Sequence, residues 1–223
     1  APLSSLPTDP SLEQPALIDR PIEVPPAEGS LIQETHFFQT KAVIMKKVKR
    51  MLEALHTALQ EELLTASLLA PEGIDTTTGQ FVKGEYLHDF PYQYLDLPKY
   101  FSQDEKFTFR SLFWWGHHFV FALILEGPHL DRYKRNLLNS YDKLADQEFY
   151  ILMAPTLWEW ENRPELLLEI RKDNREAVEG ALATRPFLKI HRLIPFESPL
   201  FEKGGLVAEG AKTFRLMSDI VAK

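Results

Sequence analysis

Few residues in this chain are placed to do chemistry. His117 and His118 directly follow Trp114, Trp115 and Gly116. Imidazoles can pass a proton or ligate a metal. If both lie in a strand they point to opposite faces, so at most one joins any given site. Asp96, Glu126, His129 and His191 are the companions available to it. A metal centre would need two or three of these to converge, and no HExxH or HxH spacing brings them together, so we expect no metal and no cofactor. The simpler reading of either ring is a partly buried histidine bonded to a backbone carbonyl, with proton transfer as the alternative.

Asp96 sits in YLDLP, among hydrophobic residues and between Pro91 and Pro98. A carboxylate held there has its pKa raised by desolvation unless a cation pairs with it, and Arg110 is the nearest candidate in sequence. A buried Asp96–Arg110 pair that pins its segment to the sheet is the first expectation, and catalysis by the two is the second. Trp114 and Trp115, with His129 and His191, are the candidates for contacting a ligand. Trp158 and Trp160 could floor the same pocket, although tryptophan more often fills core or interface. No GxSxG elbow is present, which argues against a serine hydrolase of the usual kind. Gly79 and Gly84 are spaced like phosphate-loop glycines, but Glu85 and Tyr86 stand where Lys and Ser or Thr are required.

These residues must be positioned by the densest apolar run in the chain, FTFRSLFWWGHHFVFALILEG from Phe107 to Gly127. Its composition is that of strand, broken at Gly116 by a tight turn or a bulge. Phe119, Phe121, Leu123 and Leu125 share one face and Val120, Ala122 and Ile124 the other, so both faces are apolar. Such a strand belongs inside a sheet covered on at least one face by helices. Apolar residues from Ile44 to Leu63 recur at spacings of three and four, predicting a long helix from a capping box at Ser30 and Gln33 to about Leu69. Further helices are expected over Leu130–Leu144, Pro164–Ala183 and the C-terminus, and strands over Phe149–Met153 and Phe187–Ile194. Pro91 and Pro98 suggest an edge strand or a loop between them. The fold class is α+β: a central mixed sheet of about five strands with helices packed on it, and crossovers right-handed where neighbours are parallel.

Residues 1–30 hold seven prolines, five acids and one base. That composition opposes helix and central strand, so it reads as an extended arm preceding a single domain over 31–223. The net charge of -7 argues against a general role on nucleic acid. The cluster Lys46, Lys47, Lys49 and Arg50 reads as a solvated helix face. With no cysteine there is no disulfide, no cysteine zinc site and no thiol catalysis. No apolar run reaches the length of a membrane span. The expected location is cytoplasmic, and a start at Ala1 leaves a processed, secreted or periplasmic product open.

The stretch FPYQYLDLPKYF, followed by FRSLFWWG, resembles a bacterial family of conserved hypothetical proteins. The likeness rests on Phe90, Pro91, Tyr92, Leu95, Asp96, Pro98, Tyr100, Phe101, Arg110, Phe113, Trp114, Trp115 and Gly116, with Lys99 where the pattern has arginine. It implies no activity. Taken together, these features predict a non-catalytic binding or assembly module acting through a protein partner or a homo-oligomer. The alternative is a hydrolase-like small-molecule enzyme with its pocket near Asp96, Arg110, His117 and His118.

Overall fold

The computed structural model describes residues 22–223. By internal packing the chain divides after Val43, with Ile44–Lys223 forming the larger unit. The elements are α1 (Pro26–Ile32), α2 (His36–Thr65), β1 (Gln80–Leu87), β2 (Phe90–Phe101), β3 (Lys106–Trp114), β4 (His118–Glu126), α3 (Leu130–Asn139), α4 (Tyr141–Leu144), β5 (Tyr150–Leu152), β6 (Leu167–Glu169), α5 (Arg175–Thr184), β7 (Leu188–Ile194), α6 (Pro199–Glu202) and α7 (Leu206–Ser218). The class is α+β. The sheet has seven strands in the order β1-β2-β3-β4-β7-β5-β6, and all the pairings along it are antiparallel.

The apolar run is the middle of that sheet. β3 and β4 pair residue for residue from Lys106–Glu126 to Trp114–His118. Trp115, Gly116 and His117 make the turn between them, and Gly116 has φ +75°, a backbone that favours glycine. One face carries Phe109, Phe119, Phe121, Leu123 and Leu125 into a core closed by Leu52, Leu55 and Leu59 of α2 and Phe214 and Met217 of α7. Gly210 lets α7 approach this closely, since a Cβ there would lie 2.4 Å from Leu55 and 2.8 Å from Phe121.

Several local expectations are corrected. The long helix is two helices, and Ser30 lies inside α1, where its Oγ donates to the Pro26 carbonyl at 3.0 Å instead of capping. Proline at the start of α1 costs nothing, because its missing N–H would be orphaned in any helix. β2 is an inner strand of 12 residues, not an edge or loop. Its prolines are tolerated where the ladder is already interrupted: the register shifts between Asp96 and Lys99 against β3, and again near Phe90 against β1. Over Pro164–Ala183 a 3-10 turn leads into β6, and only then does α5 begin. Asn174 accounts for the delay, accepting from the Arg171 backbone and donating to the Glu169 carbonyl. The stripe from Leu130 to Leu144 is likewise broken at Ser140 into α3 and α4. The first 21 residues of the expected arm lie outside the described residues. Among those described, no helix is long and apolar enough to cross a membrane.

Candidate functional site

The sheet's second face is where the candidate residues gather. Even-numbered positions of β2 up to Asp96, of β3 and of β4, and odd-numbered positions of β7, point there, so register sets Asp96, Arg110, Ala122, His191 and Tyr150 in one row across five strands. Around them pack Trp114, Val120, Ile124, Leu157, Trp160 and Phe187. Among the described residues no α-helix contributes to this cluster; the irregular segment around residues 153–163 and the 3-10 turn that follows it cover the face.

Asp96 and Arg110 are committed to each other. Arg110 Nε and Nη2 donate to the two Asp96 oxygens at 2.7 Å each, and Asp96 is 0% exposed. The guanidinium also lies 3.8 Å from the centre of the Tyr94 ring, with Trp158 and Trp160 at 5.5 and 5.6 Å. A planar cation stacked between aromatics and doubly bonded to a carboxylate is a rigid structural unit. Burial raises the Tyr94 hydroxyl, keeping it protonated.

Lys189 escaped the sequence reading. It is 0% exposed, and its Nζ donates to the carbonyls of Leu157 and Glu159 at 3.0 and 2.6 Å while lying 3.2 Å from the centre of the Trp160 ring. Desolvation, helped by the nearby Arg110 charge, holds its amine well below the ordinary lysine range. Asp96 already serves Arg110, so what holds the amine here is the pair of backbone carbonyls and the face of the Trp160 ring. The signal was available in FLKIHRLI: Lys189 and His191 stand two apart in a strand, hence on one face.

His191 is held well below its ordinary pKa by burial and by Lys189 and His118, and neither ring nitrogen has a partner. His118 is pushed down to about 4, by burial first and then by His117. The Trp160 backbone accepts from its ring, while Nε2 is buried without a partner. Unmade buried hydrogen bonds of this kind cost about 1–3 kcal/mol each. His117 was expected to face away from His118. Because it lies in the turn and not in a strand, both rings line a single cavity of about 250 Å³ with Tyr150, Glu148 and Asn162. Its ring stacks on Trp114 at 3.6 Å, and burial, then His88, lowers its pKa.

Of the remaining candidates Trp114 shares this face and the others lie apart. Trp114 donates from Nε1 to the Leu87 carbonyl at 2.9 Å. Trp115 lines a different space, an apolar groove of about 480 Å³ with Ile44, Val48, Met51, Phe113 and Phe201, where Lys47 is the one charged residue. His129 precedes α3 and packs edge-on against Tyr133. Glu126 pairs with Lys106 at 2.8 Å. Asp96 and Arg110 do not line the cavity that His117 and His118 share.

One further group was not foreseen. Ligand-type atoms of His88, Glu159 and Glu161 all lie within 4.8 Å of one another. His88 and Asp89 form the two-residue β1–β2 turn, both at positive φ. Their placement brings His88 Nδ1 to 3.0 Å from Glu161, whose other oxygen is 2.8 Å from Arg163. Burial raises the Glu159 carboxyl, but hydrogen bonds from the Glu161 and Trp160 N–H groups outweigh it, so the net shift is downward. The three residues are set as an ion-paired surface cluster at the edge of the polar face. The alternation in WEWE was the available hint, placing both carboxylates on one side if extended.

No family model matches this chain, and no curated protein does. The chain is similar to a solved structure, a conserved hypothetical protein from Pyrococcus furiosus, at 12% identity over 77% of this chain and 99% of that one, with a TM-score of 0.32. A likeness of that size carries no argument about fold or function, so the residues alone bear the functional reading.

Proposed function

We propose that this protein acts by binding another protein chain, with no covalent chemistry of its own. One observation carries the reading: between Ile22 and Val43 seven large hydrophobic side chains are exposed, among them Leu31 at 70%, Ile32 at 72% and Phe38 at 58%. These are more than half of the thirteen such residues among those described. Each large apolar side chain withdrawn from water on association contributes about 1.5–3 kcal/mol, and apolar surface concentrated in one segment marks an interaction site. The partner surface that fits is itself apolar, matching these side chains. Membership of the bacterial family that shares the FPY and FWWG stretches, and a cytoplasmic setting, belong to the same proposal.

The test is a displayed peptide library selected on the full chain and counter-selected on Leu31→Glu/Phe38→Glu. Enrichment of peptides rich in aromatic or aliphatic residues, lost on the double variant, supports the proposal. Recovery that ignores the substitutions overturns it. Sedimentation velocity across a concentration series adds the identity of the partner: mass that rises with concentration only in the unsubstituted chain marks a second copy of it.

A further inference from the structure

We infer that the apolar groove beside α2 binds a small amphiphile: a hydrocarbon body carrying a single negative charge, such as a medium-chain carboxylate. Every residue of the groove belongs to the larger unit and none to the Ile22–Val43 segment, so this ligand and the protein contact proposed above stand or fall separately.

The body of the ligand follows from the walls. Ile44, Val48 and Met51 recur at spacings of three and four, so α2 presents them along one side. Much of the remaining wall is aromatic: Phe113 near the end of β3, Phe196 just past β7 and Phe201 in α6. The Phe196 ring centre lies 5.2 Å from that of Phe113 and 5.3 Å from that of Phe201, so the three rings form one continuous surface. The space they enclose is about 480 Å³, within the range of about 300–1,000 Å³ usual for small-molecule sites. A lasting protein interface takes about 20–30 residues a side, and nine line this groove, which suits a small ligand instead.

The head follows from the one charge. Lys47 is the sole charged residue on the wall, and it is exposed. Its neighbour Lys49 pairs with Glu53 at 3.7 Å, but among the described residues Lys47 takes part in no ion pair. One turn to either side of it α2 offers Val43, Ile44, Arg50 and Met51, none of them a carboxylate. A lysine stem can lie along apolar surface with its ammonium at the rim, and here that ammonium has no counter-charge of its own. A monoanionic head completes the pair. A cationic head is repelled, an uncharged one leaves the ammonium alone, and a dianion brings a second charge that no wall residue balances.

The test uses the full chain with its methionines labelled as 13C-methyl. Met51 lines the groove, whereas Met217 is 1% exposed and does not. Four probes of one chain length, octanoate, octyl sulfate, 1-octanol and octyltrimethylammonium, differ in the head, and hexanoate shortens the body. Octanoate and octyl sulfate should move the Met51 resonance and leave that of Met217 in place, and the tighter of the two names the head group. 1-Octanol should bind about threefold more weakly, the worth of an exposed ion pair, and octyltrimethylammonium more weakly still. Hexanoate should bind about tenfold more weakly than octanoate, for two methylenes left out of the groove. Lys47→Glu, at an exposed position that leaves the packing untouched, should invert the order so that octyltrimethylammonium binds tightest. A Met51 resonance that no probe moves, equal movement at Met217, equal binding by all four heads, or an order that Lys47→Glu leaves unchanged would each overturn the inference.

Discussion

The two faces of the central sheet exclude water in opposite ways. Towards α2 and α7 the strands present phenylalanine, leucine and isoleucine, with Ser111 and Gln93 among the few polar interruptions. Towards the segment around residues 153–163 they present Asp96, Thr108, Arg110, His118, Lys189 and His191, all buried. The coverings differ for a physical reason. A helix spends its carbonyls on its own ladder and so makes a good lid for hydrocarbon. An irregular segment keeps carbonyls free, and here those of Leu157 and Glu159 receive Lys189, that of Trp160 receives His118, and those of Met153 and Ala154 receive Arg185. Polar strands select a loop above them, and apolar strands select helices.

The contrast can be broken most sharply by substitution. On the helical face, Phe121→Ala should cost about 3–5 kcal/mol in urea unfolding, the cost of a lost ring plus its cavity. On the polar face, Arg110→Met should cost about the same, because it leaves Asp96 buried without its cation. The two differ in rescue. Adding Asp96→Leu to Arg110→Met should restore most of the loss, since an apolar pair of similar size removes both charges at once. If the double variant is as unstable as the single, the pair does more than satisfy itself and the contrast between faces fails.

Acid gives an effect of slightly smaller size on the polar face alone. His118 titrates near 6.5 when exposed and near 4 in the fold. Between those values the unfolded chain holds a proton that the folded chain does not. Its contribution is therefore complete above pH 6.5, declines as pH falls through the window and levels off below 4. The size is about 3 kcal/mol, and the lowered His191 acts in the same direction. Urea midpoints measured through this range should fall for the native chain and flatten for His118→Gln. An equal pH dependence in both would show that the carboxylates, not the buried imidazole, control it. Smallest of all should be Trp158→Ala. That ring is half exposed and 5.5 Å from the Arg110 guanidinium, so its loss should cost about 0.5–1 kcal/mol.

Much of the fold was legible because it rests on local patterns. Alternation through Phe107–Gly127 announced the two inner strands and Gly116 their turn, and the Ile44–Leu63 stripe announced most of α2. Where prediction failed, a single residue had outvoted a periodicity: proline at the start of α1, Asn174 delaying α5, and the β2 prolines sitting at register shifts. The site was less legible. Asp96 and Arg110 could be paired on paper, since both stand in one short span. Lys189 could not, because its partners are backbone carbonyls about thirty residues away, and hydrogen bonds to backbone leave no mark in side-chain spacing. His117 and His118 were separated by a strand rule that does not hold for a residue in a turn.

From its residues alone the chain specifies which stretches extend, which coil and which strands must be buried, because those outcomes follow from side-chain period and backbone freedom. Tertiary structure alone decides that one buried face is hydrocarbon and the other polar, for a buried charge or imidazole is tolerable only where distant groups arrive to meet it. The cavity beside His118 is a product of that meeting: four parts of the chain, from the β3–β4 turn to the end of β7, close around it.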